Sequence, residues 1–157
     1  METIVARRTY DVDEILSVLK HPDILKTIAE DNSQNFDIDV SAECFIAADI
    51  DGELSALFIF SKTGAVVFDI HAHVLPAKRP HSRDLGVAIL KYFFKCYPWA
   101  EKLNALIPVC YPNVVRYAES FGFKLEGVNR KSYVHPDGII DQLYLGATQD
   151  EVLNGLY

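Results

Sequence analysis

The segment Arg83-Asp84-Leu85-Gly86-Val87-Ala88 lies where the pattern of the sequence changes from strands to a helix. From Leu85 onward, apolar residues recur at helical spacing, and Pro98 ends the pattern. The N-terminus of a helix presents backbone N–H groups and partial positive charge, which together attract a phosphate group. Gly86 and Ala88 are small enough for a ligand to approach the backbone, and Arg83 adds a cation. The segment therefore predicts a phosphate-binding site at the start of a helix.

A second interpretation of the same residues is an ordinary helix start in which Gly86 only serves packing. Lys78 and Arg79, just before the segment, favour the phosphate site because they add positive potential to a chain whose formal net charge is −7. The acidic balance also argues against nonspecific binding of nucleic acid, since no basic stripe is available to replace counterions. It is compatible with a cationic amine as the partner.

Outward from this segment, the sequence predicts an alternation of strands and helices. Upstream, a first strand and two short helices precede three strands joined by turns at residues 51–52 and 62–64. Downstream of the helix come a strand, a further helix that Gly122 ends, and two closing strands. The predicted order is β-α-α-β-β-β-α-β-α-β-β, and a capping box at residues 148–151 predicts a short terminal helix. This order indicates an α/β (α+β) fold, a mixed and mostly antiparallel sheet of six to seven strands flanked by about four helices.

The length and composition of the chain predict a single domain over residues 1–157. Hydrophobic residues make up 50% of the chain and charged residues 24%, as in ordinary soluble globular proteins. The start contains no apolar signal-peptide region, and no apolar stretch reaches the ~18 residues that a membrane-spanning helix needs. Cys44, Cys96 and Cys110 match neither a disulfide framework nor a zinc motif, so we expect buried free thiols. A cytoplasmic protein without a membrane partner is expected.

In this setting, residues 83–88 resemble the acetyl-CoA signature Q/R-x-x-G-x-G/A of the GNAT superfamily of N-acetyltransferases. Asn113 and Phe121-Gly122-Phe123-Lys124 are similar to a later helix of that family and its ending, and residues 137–145 are similar to its closing strand. The resemblance implies the GNAT acyl-CoA N-acyltransferase fold. It also implies an enzyme that moves an acetyl group from acetyl-CoA to an amine by direct transfer in a ternary complex.

The resemblance further implies which residues hold the cofactor. The pyrophosphate is expected at residues 83–88. The three consecutive strands joined by turns form a meander, and the thioester oxygen is expected at the last backbone N–H groups of its third strand. No metal is implied. The implied cofactor-binding residues are Val74, Leu75, Arg83, Asp84, Leu85, Gly86, Val87, Ala88 and Asn113.

Two departures from the family pattern matter. The connection from Pro76 to Gly86 is several residues longer than in many members, so we expect a phosphate loop of different shape. Many members have a tyrosine four residues before the Gly-Phe pair, which acts as general acid on the departing thiolate, and this chain has Ala118 there. Tyr117 is adjacent but points about 100° away around a helix. An alternative function therefore stays open, a catalytically inactive GNAT-fold module that binds CoA or a protein partner.

Two histidines are the predicted catalytic residues, because transfer of an acyl group to an amine needs a base that yields a neutral nucleophile. Asp69, His71 and His73 alternate along the third meander strand and so face one side of it. Histidine titrates near neutral pH, and an H-x-H pair here is similar to one in the arylalkylamine branch of the GNAT family. Two alternatives are polar residues on an exposed strand face, or a zinc site with Asp69 or His81 as third ligand.

The amine is expected in a groove bounded by the first two helices and the final hairpin, where Asp31, Glu43 and Asp69 would attract a cation. Cys110 is expected to be a small core residue, with a covalent acyl intermediate as the alternative. A symmetric homodimer is the default expectation for oligomeric state. The candidates for a replacement acid are Tyr111, Tyr117, Tyr133 and Tyr144.

Overall fold

The computed structural model describes residues 1–28 and 37–156 of the chain. The strands within them are β1 (Ile4–Arg8), β2 (Glu43–Ile50), β3 (Glu53–Lys62), β4 (Val67–Val74), β5 (Lys102–Pro108), β6 (Lys124–His135) and β7 (Gly138–Thr148). The α-helices are α1 (Val12–Leu19), α2 (Pro22–Ile28), α3 (Ser82–Cys96), α4 (Pro112–Glu119) and α5 (Gln149–Gly155). A 3-10 helix, Pro76–His81, lies between β4 and α3.

The strands form one seven-stranded sheet in the order β1-β2-β3-β4-β5-β7-β6. β4 and β5 run parallel, with residue pairs from Val67–Lys102 to Asp69–Asn104. The pairs β1–β2, β2–β3, β5–β7 and β6–β7 are antiparallel. A parallel pair requires a crossover connection, and α3 supplies it. The predicted order of strands and helices and the mixed, mostly antiparallel sheet are therefore confirmed.

By its contacts the chain divides into two compact units. The first unit comprises Met1–Ser61 and Ile70–Pro98, and the second comprises Lys62–Asp69 and Trp99–Tyr157. A single domain over the whole chain stays a prediction.

In the first unit, helices pack on both faces of the strands. One face carries the buried side chains of Phe45, Leu57 and Ile59, which cluster with residues of α1 and α2, and we call it the α1 face. On the opposite face Phe60 stacks on Phe93 of α3, with ring centroids 4.1 Å apart. Successive residues of a strand point to opposite faces, so Ile59 and Phe60 assign the two faces of β3. The odd-numbered residues at the centre of β3 belong to the α1 face.

In the second unit, one face of β5 is covered and the other stays partly accessible. Leu103, Ala105 and Ile107 are buried, whereas the residues between them are half-buried. Gly122 follows α4 with a φ of 95°, and a Cβ at this position would lie 2.5 Å from the carbonyl oxygen of Glu151. Glycine is therefore required where the chain leaves α4 and passes α5, as the predicted helix ending indicated.

Three local features of the structure differ from what the sequence pattern indicates. Residues 75–82 show no periodicity, yet most of them form the 3-10 helix, because Pro76 suits the first position of a helix. The sequence pattern predicts a strand from Phe123 to Val128 only, but β6 continues to His135, since residues up to there pair with β7. All three cysteines are free, as expected, but only Cys44 is buried, whereas Cys96 and Cys110 are exposed. None of the described helices is long and apolar enough to cross a membrane.

A fully hydrogen-bonded ionic group joins β1, α1 and β2 in the first unit. The guanidinium of Arg7 donates to both carboxylate oxygens of Asp49, at 2.7 and 3.1 Å, and to both oxygens of Glu14, at 2.5 and 3.0 Å. The hydroxyl of Thr9 donates to Glu14 at 2.6 Å. Arg7 holds the pKa of Glu14 below its ordinary value, chiefly through these hydrogen bonds. The group fixes α1 against the edge of the strands.

We predict that Arg7→Ala lowers the free energy of unfolding by about 1–2 kcal/mol at pH 7, because it leaves two partly buried carboxylates without their cation, although solvent screens them in part. The pKa of Glu14 is lowered on folding from 4.5, so this stabilisation is present above pH 4.5 and is lost as the pH falls through the folded pKa. Urea unfolding of the wild type and of Arg7→Ala should therefore show a difference in unfolding free energy at pH 7, and this difference should be smaller at pH 3. Lys26→Ala, which removes an exposed ion pair with Asp23, is the control and should change little. An equal loss for the two variants would contradict the prediction.

Candidate active site

The end of β4 carries backbone groups that point in two directions. The N–H of Leu75 donates to the carbonyl oxygen of Ser55 on β3, at 2.9 Å. In an antiparallel pair, the backbone groups of alternate residues point to the same neighbour. The N–H of Val74 therefore points away from β3. Of the two amides predicted to hold a thioester oxygen, that of Leu75 is engaged within the sheet, and a role in ligand binding for that of Val74 stays a prediction.

The side chains of β4 alternate in the same way. The side chain of Leu75 packs against the apolar cluster of the α1 face. His71 and His73 precede it by four and two residues on the same strand, so both imidazoles lie on the α1 face. His71 is exposed and His73 is half-buried. The structure thus places the two histidines side by side, as the sequence predicts.

His73 is an uncharged imidazole at neutral pH. Burial, together with the charge of neighbouring His71, lowers the pKa of His73 from 6.5 to about 4. Protein atoms therefore surround the ring closely enough to disfavour its cation, although part of the residue remains accessible. A neutral imidazole accepts a hydrogen bond and does not repel a cationic amine.

The start of α3 differs from the bare helix N-terminus that the sequence predicts. The 3-10 helix runs directly into α3, and the N–H of Ser82 donates to the carbonyl oxygen of Arg79. One amide of the first turn is therefore already engaged. The side chain of His81, the residue before α3, makes no capping hydrogen bond. The extra length between Pro76 and Gly86 thus forms a helical extension of α3 in place of an open loop.

The motif residues lie within the first two turns of α3. Leu85 and Gly86 are buried on the face that also carries Ile89, Leu90 and Phe93. Arg83, Val87 and Ala88 are half-buried, and Asp84 is exposed. Gly86 lies three residues before Ile89 and seven before Phe93, on the inner side of the helix. This position supports a packing role for Gly86, and a role in binding phosphate stays a prediction.

The cations near the start of α3 have acidic partners. Lys78 pairs with Glu53 at 3.0 Å, and Nδ1 of His81 lies 3.1 Å from a carboxylate oxygen of Glu2. Arg79 is exposed, and its guanidinium has no ion-pair partner among the described residues. Part of the positive potential expected here is therefore balanced within the protein.

The other predicted site residues lie in the second unit. The side-chain oxygen of Asn113 accepts a hydrogen bond from Arg116, so it is engaged within α4. Tyr117 packs edge-on against Phe121, with centroids 5.0 Å apart. Burial, together with the hydroxyl of Tyr133, raises the pKa of Tyr111 well above its ordinary value. Cys110, expected in the core, is exposed. None of these side chains is shown as an acid for a leaving thiolate.

The acidic residues proposed for the amine groove are only partly described. Asp31 lies outside the described residues. Glu43 of β2 is half-buried and accepts a hydrogen bond from Ser61 at 2.5 Å. Asp69 is half-buried and belongs to the second unit. Within the described parts of the chain, no group of three or more His, Cys, Asp or Glu side chains is arranged to hold a metal ion.

The residues of the first unit fit a CoA thioester. The amide of Val74 points away from β3, where a carbonyl oxygen could accept a hydrogen bond from it, and the first residue of α3 follows eight positions later in the chain. Arg79 and Arg83 supply cations to this part of the first unit. Ser55 was not singled out from the sequence, although its carbonyl decides which β4 amide is engaged. The sequence does mark Ser55, because it is a polar residue inside the otherwise apolar stretch 54–60.

We predict that the ring protons of His73 show no titration in NMR spectra between pH 8 and pH 5.5 and shift only toward pH 4. Because the folded pKa lies below 6.5, the unfolded chain binds more protons between these values. His73 therefore costs stability as the pH falls below 6.5, and His73→Gln should flatten the decline in unfolding free energy over that range. A midpoint for His73 near 6.5 would refute the assignment of a desolvated ring.

Comparisons with known proteins support the fold. No protein-family model matches the chain. Among curated proteins, protein gp14 of Salmonella phage P22 is 23% identical over 145 residues, which are 92% of this chain and 91% of that protein. A spermidine N-acetyltransferase from Vibrio cholerae, solved in complex with CoA and spermine, has a TM-score of 0.80 at 19% identity, covering 96% of this chain and 98% of that chain.

Two further solved structures have the same architecture. The yncA protein of Salmonella typhimurium, solved with acetyl-CoA, has a TM-score of 0.74 at 17% identity, covering 94% of this chain and 95% of that chain. A ribosomal-protein alanine N-acetyltransferase from Escherichia coli has a TM-score of 0.65 at 16% identity and covers 94% of each chain. The chain therefore has the fold of the GNAT N-acetyltransferases, as its sequence resemblance predicts.

Proposed function

We propose that this protein is an N-acetyltransferase that moves an acetyl group from acetyl-CoA directly to an amine in a ternary complex. The observation that carries the proposal is the end of β4. There an outward-facing amide, that of Val74, directly follows a neutral imidazole, that of His73, on a strand of the GNAT fold. The solved relatives bound to CoA or acetyl-CoA support the choice of cosubstrate.

The bound cosubstrate supplies an acetyl thioester, an acyl group activated for attack by nitrogen. In this proposal the N–H of Val74 donates to the thioester carbonyl oxygen, where negative charge develops. The first turn of α3 and Arg83 hold the pyrophosphate, and exposed Arg79 adds a cation. Leu75 takes no direct part, since its amide is bonded to Ser55 and its side chain packs in the core.

The two histidines divide the work on the amine: His73 accepts a hydrogen bond from the amine N–H, and His71 takes up the amine proton by way of water. His73 is uncharged at neutral pH because burial lowers its pKa to about 4, so its lone pair is available to the N–H of the acceptor. His71 lies two residues away on the same face and is exposed, so it passes the proton to water. The desolvated ring of His73 is a weak base, so its main contribution is to orient the nucleophile by a hydrogen bond.

Departure of the thiolate is proposed without a tyrosine acid. Ala118 occupies the position of the usual tyrosine, Tyr117 packs on Phe121, and burial raises the pKa of Tyr111. Water is then the proton source for the thiolate. The named relatives act on different amines, a polyamine in one case and an alanine of a ribosomal protein in another, so they do not agree on the acceptor.

We predict that His73→Ala lowers kcat/KM for the acceptor amine by about 10²-fold, because the hydrogen bond that orients the nucleophile is lost. The dissociation constant of acetyl-CoA should stay unchanged, because the imidazole does not contact the phosphates. The measurement is release of free CoA with a panel of primary amines, beside calorimetric titration with acetyl-CoA. His135→Gln, at the last residue of β6, is the matched control and should retain full activity. Binding of acetyl-CoA with no turnover of any amine would favour the inactive CoA-binding module.

We predict that Arg83→Glu weakens acetyl-CoA binding about 10- to 100-fold, which corresponds to the loss of about 1.5–3 kcal/mol for a hydrogen bond to a charged group. The difference in the dissociation constant of acetyl-CoA between Arg83→Glu and the wild type should become smaller at high salt, where the charges are screened. Lys91→Glu makes the same change of charge on an exposed position two turns further along α3, and it should leave the dissociation constant within about twofold. Equal effects of both variants would mean that only the overall charge matters and that α3 does not begin at a phosphate site.

A further inference from the structure

Arg8 of β1 lies on the side of the first unit that α3 covers. It is paired with Ile46 of β2, and Ile46 is paired with Phe58 of β3. Directly opposite residues of antiparallel strands share a face, so the three side chains lie on one side. Phe60 follows Phe58 by two residues on that side, and it stacks on Phe93 of α3. The side chain of Arg8 therefore extends along the edge of the strands toward α3.

Three tyrosines surround Arg8. Its Nη1 donates at 2.8 Å to the hydroxyl of Tyr97, the residue that follows α3. Its Cζ lies 5.0 Å from the ring centroid of Tyr10, which is 59% exposed. The hydroxyl of Tyr92 accepts the backbone N–H of Arg8 at 3.3 Å. We call these four residues the Arg8 cluster, and all of them belong to the first unit.

One edge of the Arg8 guanidinium has no acceptor. Over residues 1–28 and 37–156, the hydrogen bond from Nη1 is the only one that this guanidinium makes. Nε is enclosed by protein without a partner, whereas Nη2 is not enclosed in this way and can be reached from solvent. Nε and Nη2 lie on the same edge of the planar group, and each has an N–H bond pointing outward. Two parallel donors of a half-buried cation therefore lack an acceptor.

The neighbouring Arg7 shows what this edge of a guanidinium binds. Nε and Nη2 of Arg7 donate to the two carboxylate oxygens of Asp49, at 2.7 and 3.1 Å. Such a fork is the favoured pairing of arginine with a carboxylate or a phosphate. Arg8 has no ion pair with any residue that the structure describes, and the carboxylate of Asp11, three residues away, accepts the N–H of Glu14 as the cap of α1. The edge that is satisfied in Arg7 is thus unsatisfied in Arg8.

The surrounding groups of the protein do not replace the acceptor. Cys44 is buried and close enough to Arg8 to interact with its charge, but burial raises the pKa of the thiol above 9.0, so it is uncharged at neutral pH. The C-terminus of α3 also attracts a cation, but that attraction leaves both N–H groups without an acceptor. Buried donors are nearly always paired, and an unpaired one destabilises a fold. A ligand that brings two oxygens to this edge explains the arrangement best.

We propose that the Arg8 cluster binds an oxyanion, a carboxylate or phosphate group of a second ligand, through Nη2 and Nε of Arg8. The oxyanion contacts accessible Nη2 first, and the exposed ring of Tyr10 moves aside so that a second oxygen reaches Nε. Tyr97 holds the other end of the guanidinium and thereby fixes the plane of the fork. The cluster lies at the C-terminal end of α3, which is 15 residues or about 22 Å long. It is therefore distinct from the proposed pyrophosphate site, and it does not depend on the proposed function.

The test is an NMR titration of wild-type protein with inorganic phosphate and, separately, with acetate, at constant ionic strength. The reporters are the Nε–H signal of Arg8 and the backbone amide of Tyr10, both assigned through bonds. Both should shift and saturate, with a dissociation constant on the order of 1–10 mM for a single forked ion pair. The anion with the lower dissociation constant identifies the source, a phosphate or a carboxylate group.

Arg8→Lys keeps the charge but removes the fork, so the amide of Tyr10 should lose its saturable shift or require at least tenfold more anion. Arg130→Lys makes the same change at an exposed position of β6 and should titrate like wild type. If Arg8→Lys does not fold, the wild-type Nε–H signal still tests binding. A shift that stays linear up to 100 mM of both anions, or an unchanged dissociation constant in folded Arg8→Lys, would overturn the proposal. Equal shifts of all arginine signals would overturn it too, because they would report salt alone.

Discussion

The hydrogen bond from the amide of Leu75 to the carbonyl of Ser55 fixes how the last residues of β4 are oriented. Along a strand, alternate residues direct their backbone groups to opposite neighbouring strands and their side chains to opposite faces of the sheet. One hydrogen bond of known direction therefore fixes the orientation of every residue in the strand. With Leu75 bonded to β3, the amide of Val74 points to the other edge, and the imidazoles of His71 and His73 lie on the α1 face. A shift of one residue would exchange these roles and move both histidines to the face of α3, away from α1 and α2.

The helix that follows β4 uses for packing the same few residues that are proposed to bind the ligand. Leu85 and Gly86 point inward with Ile89 and Phe93, while the outward positions carry Arg83 and Asp84. The 3-10 helix before α3 uses the N–H of Ser82 and thereby lengthens the helical segment. Gly86 is buried without a side chain on the inner face of α3, and Arg83 lies three residues before it. Packing and the proposed phosphate site are therefore compatible, and the motif alone does not distinguish them.

His73, a residue of the proposed mechanism, is unfavourable for the fold when it is protonated. His73 is desolvated, so its protonated form is disfavoured and the pKa falls to about 4. Conflicts between local preference and structure concentrate at functional sites, because the stability of the rest of the fold can tolerate them. The ionic group of Arg7, Glu14 and Asp49 shows the opposite case, in which every charge is satisfied within the fold.

The sequence by itself determined the order of strands and helices, the mixed sheet and the resemblance that named the fold, because these depend on local periodicity, turn residues and a short motif. It also determined that His71 and His73 share a face, since alternation along a strand is a local property. Only the tertiary structure decided which face that is and which β4 amide is engaged, because both depend on the pairing with β3. The same reason applies to Gln142, whose burial follows from its neighbours on β5 and β6. Nothing in the sequence Ile140-Asp141-Gln142-Leu143 distinguishes Gln142 from the adjacent Asp141, whose side chain lies on the other face.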